Sequence, residues 1–206
     1  MTHFSSHLRQ QVLSWLDENV PLPRIRHVLR VEQLAVELAQ HHGFRVEQAA
    51  QAGLMHDLAK YFPAERLLRM AQQANLSLDP VAIANPHLLH AEIGAIVAEE
   101  VFDLKDAVVL AAIRNHTLGA PNMDAISCVV FLADALEPGR GQQSDLNRLR
   151  QLCYENLFQA VYETCEHTLT QLIRSGKLIH PRAVRTRNWF LQASQTHPET
   201  TRLSIG

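Results

Sequence analysis

Four histidines and two aspartates occur in this 206-residue chain at positions where a helical core should be apolar. His27 falls in line with Val31, Leu34 and Leu38, at steps of four, three and four, which is one face of a helix and its buried face. His56 follows Ala49 and Ala52, and its neighbour Asp57 follows Ala50, Gly53 and Leu54, so apolar stripes carry both side chains inward. His90 heads a stripe of Ile93, Gly94, Val97 and Val101, and His116 ends one made of Val109, Ala112 and Ile113. Asp134 sits beside Val130 and Phe131 in "VVFLADAL". A lone histidine on such a face is usually a core residue bonded to a carbonyl. A buried aspartate is harder to accommodate, because a polar group without partners costs about 2–7 kcal/mol. The nearby core faces supply few Lys or Arg, whereas a divalent cation would neutralise both carboxylates and take the imidazoles as ligands. His and Asp without thiolate suit iron, manganese, cobalt, magnesium or zinc. Six ligands exceed one open catalytic site, so the count fits two ions sharing a bridging carboxylate.

The elements that must hold these residues are helical, since strand alternation is almost missing. A first helix carries Leu8, Val12, Leu13 and Leu16 to about Asn19, with Ser5 or Ser6 as its cap. After "PLP" at 21–23, a second runs from about Arg24 to His42 and stops at Gly43, and a third covers about Val46 to Tyr61. Pro63 opens a fourth, "PAERLLRMAQQAN", and residues 75–89 are looser because Pro80 and Pro86 interrupt them. Helices resume at about His90–Val101, Lys105–Thr117 and Met123–Leu136. "EPGRGQQS" reads as a loop, one long helix follows from about Asp145 to Arg174, and Pro181 opens a last one through about Gln195. The tail "THPETTRLSIG" reads as frayed. This is an all-α bundle of about eight to nine helices, expected to form a single domain over 1–206.

Composition excludes several classes of function. Apolar residues make up 47% and charged residues 19%, with a net charge of −2, so the chain is globular and has no basic field for nucleic acid. The N-terminus "MTHFSSHLRQQ" lacks a signal-peptide layout, and no run reaches the roughly 20 apolar residues of a membrane span. Cys128, Cys153 and Cys165 form no CxxC pair and suit free thiols in a reducing cytosol. A cytoplasmic protein, monomeric or homodimeric, with no membrane partner is expected.

In chain order the six residues read H…HD…H…H…D, which resembles the signature of the HD-domain metal-dependent phosphohydrolases. "RIRHVLRVEQLAVELA", "AGLMHDLAKYFPAERLL", "LLHAEIGA", "AIRNHTLGAP", "FLADALEPGR" and "LIHPRAVRTRNWF" are together similar to the YqeK-type HD proteins, over about Arg24 to Phe190. The resemblance implies an HD core at about 24–136 with helices from 145–195 packed on it. It also implies symmetrical cleavage of diadenosine tetraphosphate into two ADP at a site holding two divalent ions, iron first among them. His27, His56, Asp57 and Asp134 would hold one ion, and Asp57, His90 and His116 the other, with a bridging water as the attacking group. Catalysis would fall to Asp57 and Lys60. A dinucleoside polyphosphate would be contacted by Lys60, Thr117, Arg140 in the Gly-rich loop, and Arg182 and Arg187 of the basic cluster that also holds Arg185. Another nucleotide as substrate of a nucleotidase or phosphodiesterase, diiron oxygen chemistry, or a sensor without turnover are the competing expectations. His87 in "HLLH" is a second candidate beside His90. His3, His7, His41, His42, His167 and His197 are read as structural or surface residues.

Overall fold

The computed structural model describes residues 6–196. The expected cap at Ser5 or Ser6 and the tail at 197–206 lie outside what is described of the side chains and backbone there. Among the described residues there are eleven α-helices and no strand. They are α1 (Ser6–Asn19), α2 (Leu22–His42), α3 (Val46–Met55), α4 (Ala64–Gln73), α5 (Pro80–Ala84) and α6 (His90–Phe102). Then come α7 (Ala107–Asn115), α8 (Ala125–Leu136), α9 (Ser144–Glu155), α10 (Leu157–Arg174) and α11 (Pro181–Thr196). Short 3₁₀ turns occupy Pro86–Leu89 and Pro138–Arg140.

The count exceeds the expected eight to nine for two physical reasons. The segment 145–174 is not one helix, because Asn156 adopts an extended backbone (φ −151°, ψ 102°) and its side chain accepts the Gln159 N–H, starting α10 afresh. The looser segment also contains α5, whose first turn is set by Pro80 and by the Asp79 carboxylate accepting the Val81 N–H.

The third helix is also shorter than its apolar pattern suggests. It ends at Met55, and the chain from His56 to Tyr61 runs in tight turns with Leu58 N–H to Met55, Lys60 N–H to Asp57 and Phe62 N–H to Ala59 carbonyl bonds. The His56 imidazole takes the Gly53 carbonyl at 2.8 Å, a group that a continuing helix would have needed.

Helix α8 is apolar on all sides, as befits the central element. Ile126, Cys128, Val129, Val130, Phe131, Leu132, Ala133 and Leu136 are all buried along it. α2, α3, α7, α9 and α10 all pack against it. α2 and α3 approach closely at Gly53, where a Cβ would stand 2.9 Å from the Glu32 Cα. α11 is fastened to the loop after α7 at Gly119, whose φ of +63° and whose closeness to Thr186 both require glycine. A single apolar cluster runs from Val12 in α1 through α8 to Ala160, Val161 and Phe190 in α10 and α11. No helix among the described residues is long and apolar enough to cross a membrane.

Candidate metal centre

The architecture brings six side chains to one end of the bundle. His27 comes from the first turns of α2, His90 begins α6, and Asp134 lies in the last turn of α8. His56 and Asp57 follow the end of α3, and His116 follows the end of α7. His56, Asp57, His90 and His116 are each 2% exposed or less, and His27 is 5% exposed.

Each imidazole is anchored through Nδ1. His56 bonds the Gly53 carbonyl at 2.8 Å, His116 the Ile113 carbonyl at 2.7 Å, and His90 the His87 carbonyl. His27 Nδ1 is 2.9 Å from Glu137 Oε1. A carbonyl or carboxylate oxygen only accepts, so Nδ1 must carry a proton in all four, and Nε2 is the ring atom that each turns toward the others. The three carbonyls each lie three residues upstream of their histidine. One bond therefore finishes or tightens a turn and also fixes the ring.

The Nε2 atoms converge on two carboxylates. Asp57 Oδ2 lies 3.3 Å from His56 Nε2 and 3.9 Å from His27 Nε2. Asp57 Oδ1 lies 3.4 Å from His90 Nε2 and 3.8 Å from His116 Nε2. Asp134 Oδ1 adds to the first group, 3.0 Å from His27 Nε2 and 3.9 Å from His56 Nε2. The two oxygens of Asp57 thus face two different clusters. His27, His56 and Asp134 could hold one ion, as could His56, Asp57 and His116.

Two observations show that a cation fits here. His27 Nε2 and His56 Nε2 are buried atoms without a hydrogen-bond partner, although buried polar atoms are almost always satisfied. His90 Nε2 and His116 Nε2 stand 3.0 Å apart, two lone pairs that repel unless positive charge lies between or beside them. The electrostatics agree. Burial opposes ionisation of Asp57 and Asp134, yet the surrounding imidazoles, and Arg140 for Asp134, hold both well below the usual carboxylate range. Burial pushes the His90 imidazole down to about 4, helped by the Lys60 ammonium, and His116 down to about 3, helped by the other imidazoles, so both rings are neutral at physiological pH. His56 goes the other way. Burial disfavours its charge, but Asp57 and Asp134 outweigh it and raise its pKa, the signature of a field that attracts a cation.

Cationic and hydroxyl groups ring the cluster. Lys60 Nζ is 3.2 Å from His90 Nε2, and burial lowers its pKa. The Thr117 hydroxyl lies 2.9 Å from His116 Nε2 and 3.2 Å from His90 Nε2. Arg140 donates to the Asp134 backbone carbonyl at 2.8 Å and to its carboxylate. The structure therefore gathers Lys60, Thr117 and Arg140 as expected from sequence. It does not gather Arg182 or Arg187. Arg182 is taken up by Glu92 at 2.6 Å and by the carbonyls of Gly119 at 2.6 Å and Arg114 at 2.8 Å, which pin α11 to α6 and α7. Arg187 turns to α10, pairing with Glu166 and lying over the Tyr162 ring. His87 is exposed and contributes its carbonyl to His90 rather than its ring.

Three residues of the centre had not been expected. Arg24 bonds Asp57 Oδ2 at 3.0 Å. Glu137, 1% exposed, holds His27 and is itself held by Arg30 and, at 2.6 Å, by the Gly139 N–H. Arg24 stands three residues before His27 and Glu137 three after Asp134, so helical proximity to a ligand was the available signal.

An all-helical bundle with H…HD…H…H…D at one end defines the HD class, and residues 24–139 match the HD domain model. The chain belongs to the HD-domain family. Among its relatives is a protein named bis(5′-nucleosyl)-tetraphosphatase, symmetrical, from Halalkalibacterium halodurans, 31% identical over 89% of this chain and 97% of that one. A protein of the same name from Bacillus subtilis is 28% identical over 90% of this chain and 99% of that one. The crystal structure of a predicted HD superfamily hydrolase involved in NAD metabolism, from Clostridium acetobutylicum, superimposes with a TM-score of 0.86 at 32% identity, over 89% of this chain and 97% of that one.

Proposed function

We propose that this protein is a metal-dependent hydrolase that splits diadenosine tetraphosphate symmetrically into two ADP. The observation that carries the reading is the set of four imidazoles, each locked through Nδ1, whose Nε2 atoms converge on a carboxylate divided between two clusters. The names of the full-length relatives supply the substrate. His27, His56, Asp57 and Asp134 would hold one divalent ion, and Asp57, His90 and His116 the other. Iron is the first choice, with manganese, cobalt, magnesium or zinc as alternatives set by availability. When bound, the ions acidify a water and neutralise charge at the phosphorus under attack.

The remaining work falls to the chain. Asp57 fixes the separation of the two clusters through its two oxygens. Lys60 stands beside the ligands His90 and Asp57, where its ammonium meets the oxygen charge that develops as the central anhydride breaks. Arg24, Arg140 and Thr117 supply further donors around the mouth for the phosphate chain. Hydrolysis forms one P–O bond from water and breaks the central P–O–P link, leaving two identical diphosphates. The whole chain acts as one HD domain in the cytosol, its core at about 24–136 carrying the ligands and helices from 145–195 bracing them. The shared apolar core and the three buried free cysteines support that placement.

The test is product analysis. Purified protein with added manganese should turn diadenosine tetraphosphate into ADP alone, and Asp57→Ala should stop this and lower bound metal. Release of AMP and ATP in place of ADP, or activity confined to another nucleotide, overturns the reading.

A further inference from the structure

The HD match ends at residue 139, so α9 lies wholly outside it. One side chain of α9 nevertheless reaches back to the rim of the metal centre. Arg150 Nε donates to the Leu136 carbonyl at 2.7 Å, and its Nη2 donates to the carbonyls of Glu137 at 3.2 Å and Gly141 at 2.7 Å. Its Nη1 donates to Asn147 Oδ1 at 2.7 Å, one turn back along α9. All three nitrogens are therefore engaged, and three of the four acceptors are backbone carbonyls.

Those carbonyls bracket one short loop. Leu136 is the last residue of α8, whose final carbonyls have no helical N–H left to meet them. The Glu137 carbonyl also accepts the Arg140 N–H at 2.9 Å, which closes the 3₁₀ turn Pro138–Arg140. Gly141 then turns the chain with φ +120° and ψ 175°, a backbone conformation open essentially to glycine alone. Arg150 thus grips the loop at its entrance and at its exit. A planar fork with fixed donor directions can do this, whereas an ammonium is a single point of charge.

The loop carries two groups that bear on the ligands. Glu137 anchors His27 Nδ1 at 2.9 Å, and Arg140 bonds the Asp134 carboxylate and its backbone carbonyl. Arg30 of α2 secures the Glu137 carboxylate, and a side chain at Gly139 would run into that guanidinium. The carboxylate of Glu137 is held from α2 and its backbone from α9. The rings of His90 and His116, by contrast, are anchored by carbonyls outside this loop.

We propose that Arg150 is a positioning residue for the metal centre. By holding the 137–141 loop at both ends, it sets where Glu137 places His27 and where Arg140 meets Asp134. The inference rests on the reading of His27 and Asp134 as metal ligands, and it gives a helix beyond the HD match a share in posing them.

The experiment uses the full chain. Arg150→Met keeps the apolar stem and removes the fork, and Arg150→Lys keeps the charge without the fork. Hydrogen–deuterium exchange on the metal-free protein reads the loop, and manganese titration reads the ligands. In Arg150→Met the amides of residues 139–143 should exchange at least tenfold faster than in the parent, while those of α6 keep the parent's rates. Manganese affinity should fall about tenfold, the lower end of what partners that orient ligands carry. With diadenosine tetraphosphate, kcat should fall while KM stays within twofold. Arg150→Lys should lose at least threefold in manganese affinity, and it decides the matter by the same measurements where Arg150→Met does not fold. Arg148→Met removes an exposed arginine of the same helix that pairs with Glu163, and it should change none of these readouts. Arg182→Ala, expected to lose stability alone, shows what destabilisation by itself does to manganese binding. Manganese affinity like the parent's in folded Arg150→Met, a loss no greater than in Arg182→Ala at equal melting temperature, or full recovery in Arg150→Lys overturns the inference. A parent that binds no manganese sinks the metal reading instead, and the exchange rates then decide whether Arg150 holds the loop.

Discussion

Replacing Glu137 by glutamine removes a charge from the edge of the metal centre with almost no change in volume. The carboxylate has two tasks. Oε1 accepts from His27 Nδ1 at 2.9 Å and from Arg30 at 3.2 Å, while Oε2 accepts from Arg30 and from the Gly139 N–H at 2.6 Å. An amide keeps one acceptor and turns the other into a donor, so either His27 or the Arg30–Gly139 side loses its partner. Hydrogen bonds to charged groups are worth about 1.5–3 kcal/mol, and the stability loss should be of that order. The effect on metal should be separate from this. Partners that orient a ligand imidazole typically carry about 10–100-fold in affinity, and Glu137 is the only anchor of His27 Nδ1 among the described residues. Manganese titration and urea unfolding at pH 7 read the two effects independently. Arg30→Met serves as the comparison, since it breaks the same ion pair but leaves the His27 contact, and should cost stability with much less loss of manganese. Equal manganese affinity in Glu137→Gln and the parent, with the variant folded, would refute the claim that Nδ1 anchoring poses the Nε2 ligand.

Arg182→Ala should destabilise the fold by about 3 kcal/mol, because charge-assisted bonds to Glu92 and two carbonyls hold α11 in place. Metal bound per folded chain should not change, and loss of turnover without a fall in melting temperature would show that Arg182 instead touches substrate. The thiols should be inert in the native protein. Cys128, Cys153 and Cys165 are buried, and burial pushes the pKa of the latter two up to about 12 and that of Cys128 well above its ordinary value. Iodoacetamide at pH 8 should label none of the three before denaturation and all three after, and rapid native labelling would contradict the packing around them.

The six proposed ligands were legible in the sequence because each interrupts an apolar stripe, and a stripe fixes an inward direction without knowledge of the neighbours. That logic depends on helix period alone, so it located His27 or Asp134 equally well. It misjudged the end of α3, where the pattern of apolar residues continues to Phe62 but the His56 side chain captures the Gly53 carbonyl. It also merged α9 and α10, since Asn156 breaks the helix through its own backbone and cap rather than through Gly or Pro. Arg182, Arg187 and Arg24 illustrate a different limit. A long cationic side chain goes wherever tertiary contacts offer a carboxylate or carbonyl, and Glu92, Glu166 and Asp57 lie 90, 21 and 33 residues away from them in sequence. Glu137 was hidden for the same reason, being a loop residue by composition and a buried one by virtue of α2.

Asp57 is proposed to be shared by two ions. Crystals of the manganese-loaded protein, measured for anomalous scattering at the manganese edge, address it directly. Two peaks are expected, one on each side of the Asp57 carboxylate, the first among His27, His56 and Asp134 and the second beside His90 and His116. A single peak that leaves either cluster without a contact to manganese would contradict it.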